Sequence, residues 1–140
     1  MKIIITGSAG FIGYHLSKKF LQNKKNNIIG IDTINDYYSP KIKNFRLKIL
    51  KKYKNFKFLK LNLIKRKKVD QIFKNFRPNV VFHIAGQPSV LYSFKNPKSY
   101  KTNNIDATKV ISSTSKKYGV EKFIFASSSS IYGDQKKFPI

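Results

Sequence analysis

Three glycines near the start of the chain have the spacing of a phosphate-binding loop. They form a G-x-x-G-x-x-G variant of the dinucleotide fingerprint, which follows a short apolar run and opens an amphipathic stretch. In this pattern Gly7 permits the tight turn, Gly10 lets the backbone approach a pyrophosphate, and Gly13 lets the helix pack closely on the sheet. The free N–H groups around Phe11 and Ile12 then face the phosphates at the positive end of the helix.

An acidic residue follows this loop at the end of the second apolar run. Asp32 can accept hydrogen bonds from both ribose hydroxyls of an adenosine and would repel a 2′-phosphate, which favours NAD over NADP. The alternative is an Asp that only caps the following turn. Asn35 and Asp36 continue the same loop and are expected to reach the adenosine as well. Lys41 and Lys43 lie slightly further on and would soften the discrimination against NADP.

Short apolar runs alternate along the whole chain with longer amphipathic stretches. The runs predict strands over residues 2–6, 27–32, 56–62, 80–84 and 122–127, and the stretches predict helices over 11–22, 40–52, 68–76 and 97–118. This order predicts an α/β fold, a Rossmann-type doubly wound parallel sheet of about five strands with helices on both faces and right-handed crossovers. The 140 residues suit a single domain.

Lysine dominates the charge of the chain. There are 29 Lys and Arg against 6 Asp and Glu, which gives a formal net charge of +23. A nucleic-acid binder has such a charge, but only Arg46, Arg66 and Arg77 are arginines, the residue type suited to bidentate recognition of bases and phosphates. Because the lysines are spread along the whole chain, we interpret them as a solvated surface. A polyanion or nucleic-acid binder is the remote alternative.

The composition also excludes several kinds of protein. The chain has no Cys and no Trp, which excludes a disulfide framework, a thiolate metal site and a cysteine nucleophile, and no metal site is predicted. No apolar run approaches the roughly 18 residues of a membrane span, and Gly7 interrupts the apolar start before it reaches the length of a signal peptide. We therefore expect a cytoplasmic protein with no membrane partner.

Further motifs fall in order along the chain. They lie at residues 6–13 (TGSAGFIG), 83–86 (HIAG), 103–104 (NN) and 127–133 (SSSSIYG). Together they resemble the extended short-chain dehydrogenase/reductases that act on nucleotide sugars, the NAD-dependent epimerases and dehydratases. Residues 30–38 (GIDTINDYY), 46–47 (RL), 87–93 (QPSVLYS) and 96–97 (NP) resemble the UDP-glucuronate 4-epimerases most. The resemblance covers all 140 residues.

The resemblance implies an NAD-dependent nucleotide-sugar epimerase, most closely a UDP-glucuronate 4-epimerase that works through a transient 4-keto intermediate. It implies NAD as the cofactor, a UDP-sugar as the substrate and a homodimer of the full-length enzyme. Ser128 is implied as the catalytic hydroxyl, which hydrogen-bonds the 4-oxygen of the sugar as its proton leaves. The remaining implied contacts are Asn62, Leu63, Ile84, Ala85, Gly86 and Asn103 to the cofactor, and Gln87, Ser129 and Ser130 to the substrate. His83 is expected to pack at its strand end rather than to catalyse.

The chain departs from the family pattern in several places. Asn62 stands where the family usually has Asp, and Leu91 where UDP-glucuronate epimerases commonly have Arg. A Tyr-x-x-x-Lys helix, whose Lys lowers the pKa of the basic Tyr, does not follow the serines, since Tyr132 is succeeded by Gly133 in a predicted loop. We therefore expect residues 1–140 to be the N-terminal part of a longer enzyme, inactive alone. The alternatives are another sugar-nucleotide epimerase or dehydratase, and a non-catalytic NAD-binding module.

Overall fold

A five-stranded parallel sheet forms the centre of the computed structural model, which describes residues 1–137. Residues 138–140, which end the predicted domain, lie outside the described residues. The strands are β1 (Lys2–Thr6), β2 (Asn27–Asp32), β3 (Phe56–Lys60), β4 (Val80–His83) and β5 (Lys122–Phe125). Their order across the sheet is β3-β2-β1-β4-β5, and every neighbouring pair is parallel. The predicted doubly wound α/β fold is confirmed, and its strand order reverses between β1 and β4.

Helices connect consecutive strands. They are α1 (Phe11–Leu21), α2 (Pro40–Leu50), α3 (Arg66–Phe76), α4 (Val90–Lys95), α5 (Pro97–Tyr100) and α6 (Ala107–Lys117), with a π-helical segment at Lys101–Asp106 and a 3₁₀ turn at Ser129–Tyr132. Pro40 and Pro97 each stand in the first turn of a helix, where the missing N–H costs no hydrogen bond.

The helices cover both faces of the sheet because consecutive residues of β1 point in opposite directions. Ile3 and Ile5 pack in one apolar cluster with residues of α1 and α2, including Tyr14, Leu21, Leu47 and Leu50. Ile4 packs in a second cluster with residues of α3 and α6, including Val69, Phe73 and Ile111. The three isoleucines are fully buried, so the strand has to be apolar throughout instead of alternating.

Several predicted boundaries were wrong. α1 and α2 end at Leu21 and Leu50, one and two residues earlier than predicted, and α3 begins at Arg66, two residues earlier than predicted. The third, fourth and fifth strands end at Lys60, His83 and Phe125, earlier than predicted, because the apolar residues that follow leave the ladder and turn into loops. The single helix predicted over 97–118 is three segments, with π-helical backbone between α5 and α6. α4 was not predicted, although Ser89 is of a residue type that caps helices: its side chain accepts the N–H of Tyr92.

Burial in the second cluster yields a stability prediction. Phe73→Ala removes a fully buried ring and is expected to lower the free energy of unfolding by about 3–5 kcal/mol. Phe45→Ala is the matched control, because that helical ring is 65% exposed and its loss is expected to cost under about 1 kcal/mol. Urea unfolding of both variants measures the difference. Equal losses would show that α3 does not pack on the sheet as described.

Candidate functional site

A cavity of about 360 Å³ opens at the carboxyl ends of β1, β2 and β4, beside the point where the strand order reverses. Ligands of open α/β sheets bind at this position, and the volume is within the range of small-molecule sites. Most of the predicted cofactor residues line it, together with Gln87: Gly7, Gly10, Phe11, Ile12, Gly13, Asp32, Asn35, Asn62, Leu63, Ile84, Ala85, Gly86 and Asn103. The fold therefore gathers residues from five separate stretches of sequence into one cavity.

The glycine loop leaves backbone donors free at the mouth of α1. Gly7 lies at φ +69° and donates its N–H to the Ile31 carbonyl of β2 at 2.7 Å. The helix begins where Tyr14 donates to the Gly10 carbonyl at 3.0 Å. The amides of the first turn before Tyr14 have no earlier helical carbonyl to bind. Because Gly10 has no side chain to cap them, they suit an anionic group at the positive end of the helix.

The three glycines are needed for different reasons. A Cβ on Gly7 would come within 2.9 Å of the Ala85 backbone, and one on Gly13 within 2.1 Å of the Gly7 carbonyl oxygen. Gly13 therefore packs against the glycine loop itself, not against a strand as predicted. A Cβ on Gly10 would contact only the Gly7 carbonyl oxygen, at 3.1 Å. The protein itself leaves Gly10 the most room of the three, so the bare backbone there is free for a ligand.

Asp32 is fixed by the loops on either side of it. Its Oδ2 accepts the N–H of Ala9 at 3.1 Å, and its Oδ1 accepts the N–H of Ile34 at 2.9 Å. The carboxylate therefore caps the following turn, which was the alternative interpretation, and also lines the cavity. Each oxygen keeps a further lone pair, so the same group can still accept two hydroxyls from a ligand.

Lys43 is a buried cation beside this carboxylate. Lys43 is only 4% exposed. Its Nζ donates hydrogen bonds to the carbonyl oxygen and the Oδ1 of Asn35, at 2.8 and 2.5 Å. Nζ also lies 4.5 Å from the centre of the Tyr38 ring. Burial lowers the pKa of Lys43, and the nearby carboxylates of Asp32 and Asp36 oppose that shift. Two of the three ammonium hydrogens serve Asn35, so the third is available to a ligand.

Arg46 lies beside Lys43 at the same end of the cavity, and the sequence analysis did not place it there. Its guanidinium donates to the Ala9 carbonyl at 3.3 Å and to the Tyr38 hydroxyl at 3.0 Å. The two basic residues are three positions apart near the start of α2, which puts both on one face of the helix. That spacing from Lys43, directly after the Asp32 loop, was the signal that could have identified Arg46. Lys41, predicted to act alongside Lys43, is exposed and does not line the cavity.

The loop after β4 is tied to the π-helical segment. The backbone of Gln87 donates to Asn104 Oδ1 at 2.6 Å, and Asn104 Nδ2 donates back to the Gln87 carbonyl at 3.1 Å. The neighbouring Asn103 instead faces the cavity and donates to Ser99 Oγ at 3.1 Å. Gln87 is only 6% exposed, and its Nε2 has no partner among the described residues. A buried amide without a partner is costly unless a ligand or water completes it.

Two groups of predicted site residues fall outside this cavity. Asp36 lines an adjoining polar cavity of about 410 Å³ rather than the main one. The serines predicted to contact the substrate follow the end of β5 on exposed backbone, where Ser128 Oγ accepts the N–H of Ser130 at 3.2 Å. Ser128, Ser129 and Ser130 do not line the main cavity, so their roles stay predictions.

Within residues 1–137, no group of three or more His, Asp and Glu side chains is placed to hold a metal ion. Among the helices described, none combines the length and apolarity needed to span a bilayer.

The strand order, the glycine loop at the switch point and the acid at the end of β2 together define a Rossmann-type dinucleotide-binding domain. The chain belongs to the NAD-dependent epimerase/dehydratase family, whose family model matches residues 3–140. The family predicted from the sequence motifs is therefore confirmed.

Three named proteins are similar to this chain over nearly all of its length. Protein CapI of Staphylococcus aureus is 42% identical over 139 residues, which are 99% of this chain and 41% of that protein. The UDP-glucuronate 4-epimerase of Thermodesulfobacterium geofontis is 36% identical over 132 residues, 94% of this chain and 41% of that protein. A crystal structure of the UDP-glucuronic acid 4-epimerase of Bacillus cereus, in complex with UDP-glucuronic acid and NAD, has a TM-score of 0.89 at 32% identity and covers 98% of this chain and 43% of that one. The chain thus spans about two fifths of these relatives.

Gly13 and Gly10 have different surroundings, so a side chain added at each position should have a different effect on stability. Gly13→Ala places a methyl group on a backbone carbonyl and is expected to cost roughly 1–3 kcal/mol of unfolding free energy. Gly10→Ala at the N-cap is expected to cost under about 1 kcal/mol. Thermal unfolding compares the two variants. If Gly10→Ala proves the more destabilising, the glycine loop is packed differently from this description.

Proposed function

We propose that this chain is the cofactor-binding part of a nucleotide-sugar 4-epimerase, most closely a UDP-glucuronate 4-epimerase, and that it binds NAD in the cavity at the strand switch. The observation that carries the proposal is the free first turn of α1 beside Asp32. The amides of the first turn of α1 would bind a pyrophosphate. The Asp32 carboxylate, which accepts the N–H of Ala9 in the glycine loop at 3.1 Å, would bind an adenosine ribose. The Bacillus cereus neighbour, which was crystallised with NAD and UDP-glucuronic acid, supports it.

The cavity provides for each part of a dinucleotide. Asn62 and Leu63 line the side beyond Asp32, where an amide oxygen would accept the adenine amine without the charge of an Asp. Ile84, Ala85 and Gly86 line the opposite side and would contact the nicotinamide ribose. The unpartnered Nε2 of Gln87 would donate to an oxygen of a bound molecule. The backbone of Ile84 and Ala85 is held by Thr6 Oγ1 and that of Gln87 by Asn104 Oδ1, so binding would require little rearrangement of that side of the cavity.

The proposed chemistry divides between the cofactor and the chain. Bound NAD supplies the reversible oxidation at C4 of the sugar. Ser128 would donate a hydrogen bond to the reacting oxygen, which stabilises charge that develops there, and Ser129 and Ser130 would contact the sugar. With no carboxylate in this serine run, no general acid is available there to eliminate a hydroxyl. That absence favours epimerisation over dehydration.

We also propose that the base and the sugar-nucleotide site belong to further sequence of a longer, homodimeric, cytoplasmic enzyme. Tyr132 and Lys136 have the Tyr-x-x-x-Lys spacing but share no helix, since the 3₁₀ turn ends at Tyr132 and the next residue, Gly133, lies at φ +64°. The relatives' greater length supports the proposal. So does the exposure of apolar side chains around β5, where Phe125 is 48% and Ile131 69% exposed, since a soluble protein ordinarily covers such a surface.

The first functional prediction concerns the choice of cofactor. The chain is expected to bind NAD more tightly than NADP, because Asp32 would meet a 2′-phosphate with like charge. The positive charges of Lys43 and Arg46 would attract that phosphate, so the ratio of the NADP to the NAD dissociation constant should be moderate. Asp32→Ala is expected to narrow the ratio of the two dissociation constants, and Lys43→Ala to widen it. Calorimetric titration with both cofactors measures each ratio.

Glu121→Ala is the control for this experiment. Glu121 accepts a hydrogen bond from Asn79 at the opposite end of the sheet. Glu121→Ala therefore removes one negative charge, as Asp32→Ala does, but far from the cavity. The ratio should stay unchanged in this variant. Failure of the parent chain to bind NAD would contradict the proposed function, and tighter binding of NADP would contradict the role of Asp32.

The second prediction concerns turnover. Residues 1–140 are expected to produce no UDP-galacturonate from UDP-glucuronate and NAD, because the general base, which contributes roughly 10²–10⁴-fold, and the positioning of the sugar are both missing. Chromatographic separation of the two sugar nucleotides after incubation is the measurement. Product formation that Tyr132→Phe abolishes would show that the Tyr132/Lys136 spacing is catalytic after all.

A further inference from the structure

A fully buried histidine lies directly beneath the cavity and is hydrogen-bonded through both ring nitrogens. His83, the last residue of β4, is 0% exposed. Its Nδ1 lies 2.7 Å from Thr6 Oγ1 on β1, and its Nε2 lies 2.9 Å from Thr108 Oγ1 on α6. The ring therefore links the two central strands to the helix that follows the π-helical segment.

The hydrogen-bond pattern around Thr6 fixes the protonation of this ring. Thr6 Oγ1 accepts the N–H groups of both Ile84 and Ala85 at 3.1 Å. A hydroxyl has two lone pairs and one hydrogen, so both lone pairs are in use and the hydrogen must go to His83 Nδ1. That nitrogen is the bare acceptor, and Nε2 carries the hydrogen that is donated to Thr108. The ring is neutral in one defined tautomer.

The Thr6 hydroxyl also contacts the backbone that lines the cavity. Ile84 and Ala85 lie in the cavity wall, and both of their N–H groups donate to Thr6 Oγ1, which requires the hydroxyl to point its lone pairs towards them. The same backbone lies against the glycine loop, since a Cβ on Gly7 would reach Ala85 N at 2.9 Å. A shift of the wall by a few tenths of an ångström would therefore also displace the phosphate loop.

We propose that His83 is a positioning residue for the cofactor cavity: by accepting the Thr6 hydroxyl it orients the two amides of the cavity wall against the glycine loop. Its ring faces Phe123 and Phe125 of β5, with centroids 6.2 and 5.6 Å away, besides Thr6 of β1 and Thr108 of α6. None of these neighbours is charged, so nothing nearby stabilises an imidazolium. Burial lowers the pKa of His83 to about 4.

Three substitutions separate this role from packing. His83→Asn puts an amide oxygen in the place of Nδ1 and keeps the acceptor for Thr6. His83→Gln reaches instead to the place of Nε2 and keeps only the contact to Thr108, and His83→Phe keeps only the ring. The NAD readout rests on the proposed function. The dissociation constant for NAD is expected to stay within about threefold in His83→Asn and to rise about tenfold in the other two, as for loss of one buried hydrogen bond.

A second readout does not depend on NAD. Amide hydrogen exchange of Ile84 and Ala85 in the unliganded chain reports directly on their bonds to Thr6 Oγ1. Both amides should keep their protection in His83→Asn and lose about tenfold of it in His83→Gln and His83→Phe. Thr6→Val, which removes the acceptor, should match the two weaker variants.

The pH dependence of unfolding supplies the third readout. The unfolded chain takes up a proton on His83 near its ordinary pKa of 6.5, and the folded chain only near 4, so the urea midpoint should fall as the pH is lowered from 6.5 to 4. In His83→Asn the urea midpoint should change less between pH 6.5 and pH 4. The Asp70 carboxylate, whose pKa the Lys117 and Tyr118 hydrogen bonds hold below 3.8, loses its contribution only below that window.

Equal exchange protection in His83→Asn and His83→Gln would overturn the proposal, whether protection is kept or lost in both. An Asn variant that binds NAD as weakly as the Phe variant would also overturn it. If the parent chain does not bind NAD while the exchange and pH results are as expected, the proposed function fails and the positioning role of His83 stands.

Discussion

The close approach of two backbone segments at the switch point is the constraint on which the rest of the site depends. Gly7 has to lie at positive φ, and its Cα has to face Ala85 so closely that no side chain fits between them. Gly7 and Ser8 both donate to the Ile31 carbonyl, so the same turn fixes the loop to β2 as well. One turn therefore sets the positions of the ends of β1, β2 and β4 relative to each other, and the cavity is the space that those three ends enclose.

The sequence predicted the limits of the first two strands better than those of the later three, and the reason is physical. β1 lies in the sheet interior with helices on both faces, so every position from Ile3 to Ile5 must be apolar. The polar residues Lys2 and Thr6 on either side of this run mark the limits of the strand. Beyond β3 and β4 the apolar residues continue for a different purpose: Leu61, Leu63 and Ile84 pack in the core or line the cavity outside the ladder. An apolar run cannot distinguish pairing within a sheet from burial beneath a loop.

The residue types of the site were predictable to different degrees. The glycine loop and Asp32 were predictable because their geometry imposes a residue type. Lys43 was predicted only together with the exposed Lys41, because 26 of 140 residues are lysine and only burial separates Lys43 from the others. Asn104 was recognised as part of a motif but without its role, since π-helical backbone, on which it turns towards Gln87 while Asn103 turns towards the cavity, leaves no mark in hydrophobic periodicity.

Apart from Lys43 and Arg46, which line the cavity, the high positive charge has little part in the fold or the site. Among residues 1–137 only Lys101–Asp106 and Lys117–Asp70 form ion pairs, and both pairs are at the surface, where such contacts contribute under about 1 kcal/mol. Stability must therefore come from the two apolar layers. In the proposed complex with a dinucleotide, the surface lysines would raise the local concentration of an anionic ligand without orienting it. Orientation would come from short-range groups of fixed direction, the amides of α1 and the Asp32 carboxylate, so a chain can become lysine-rich over its surface while its binding site keeps its selectivity.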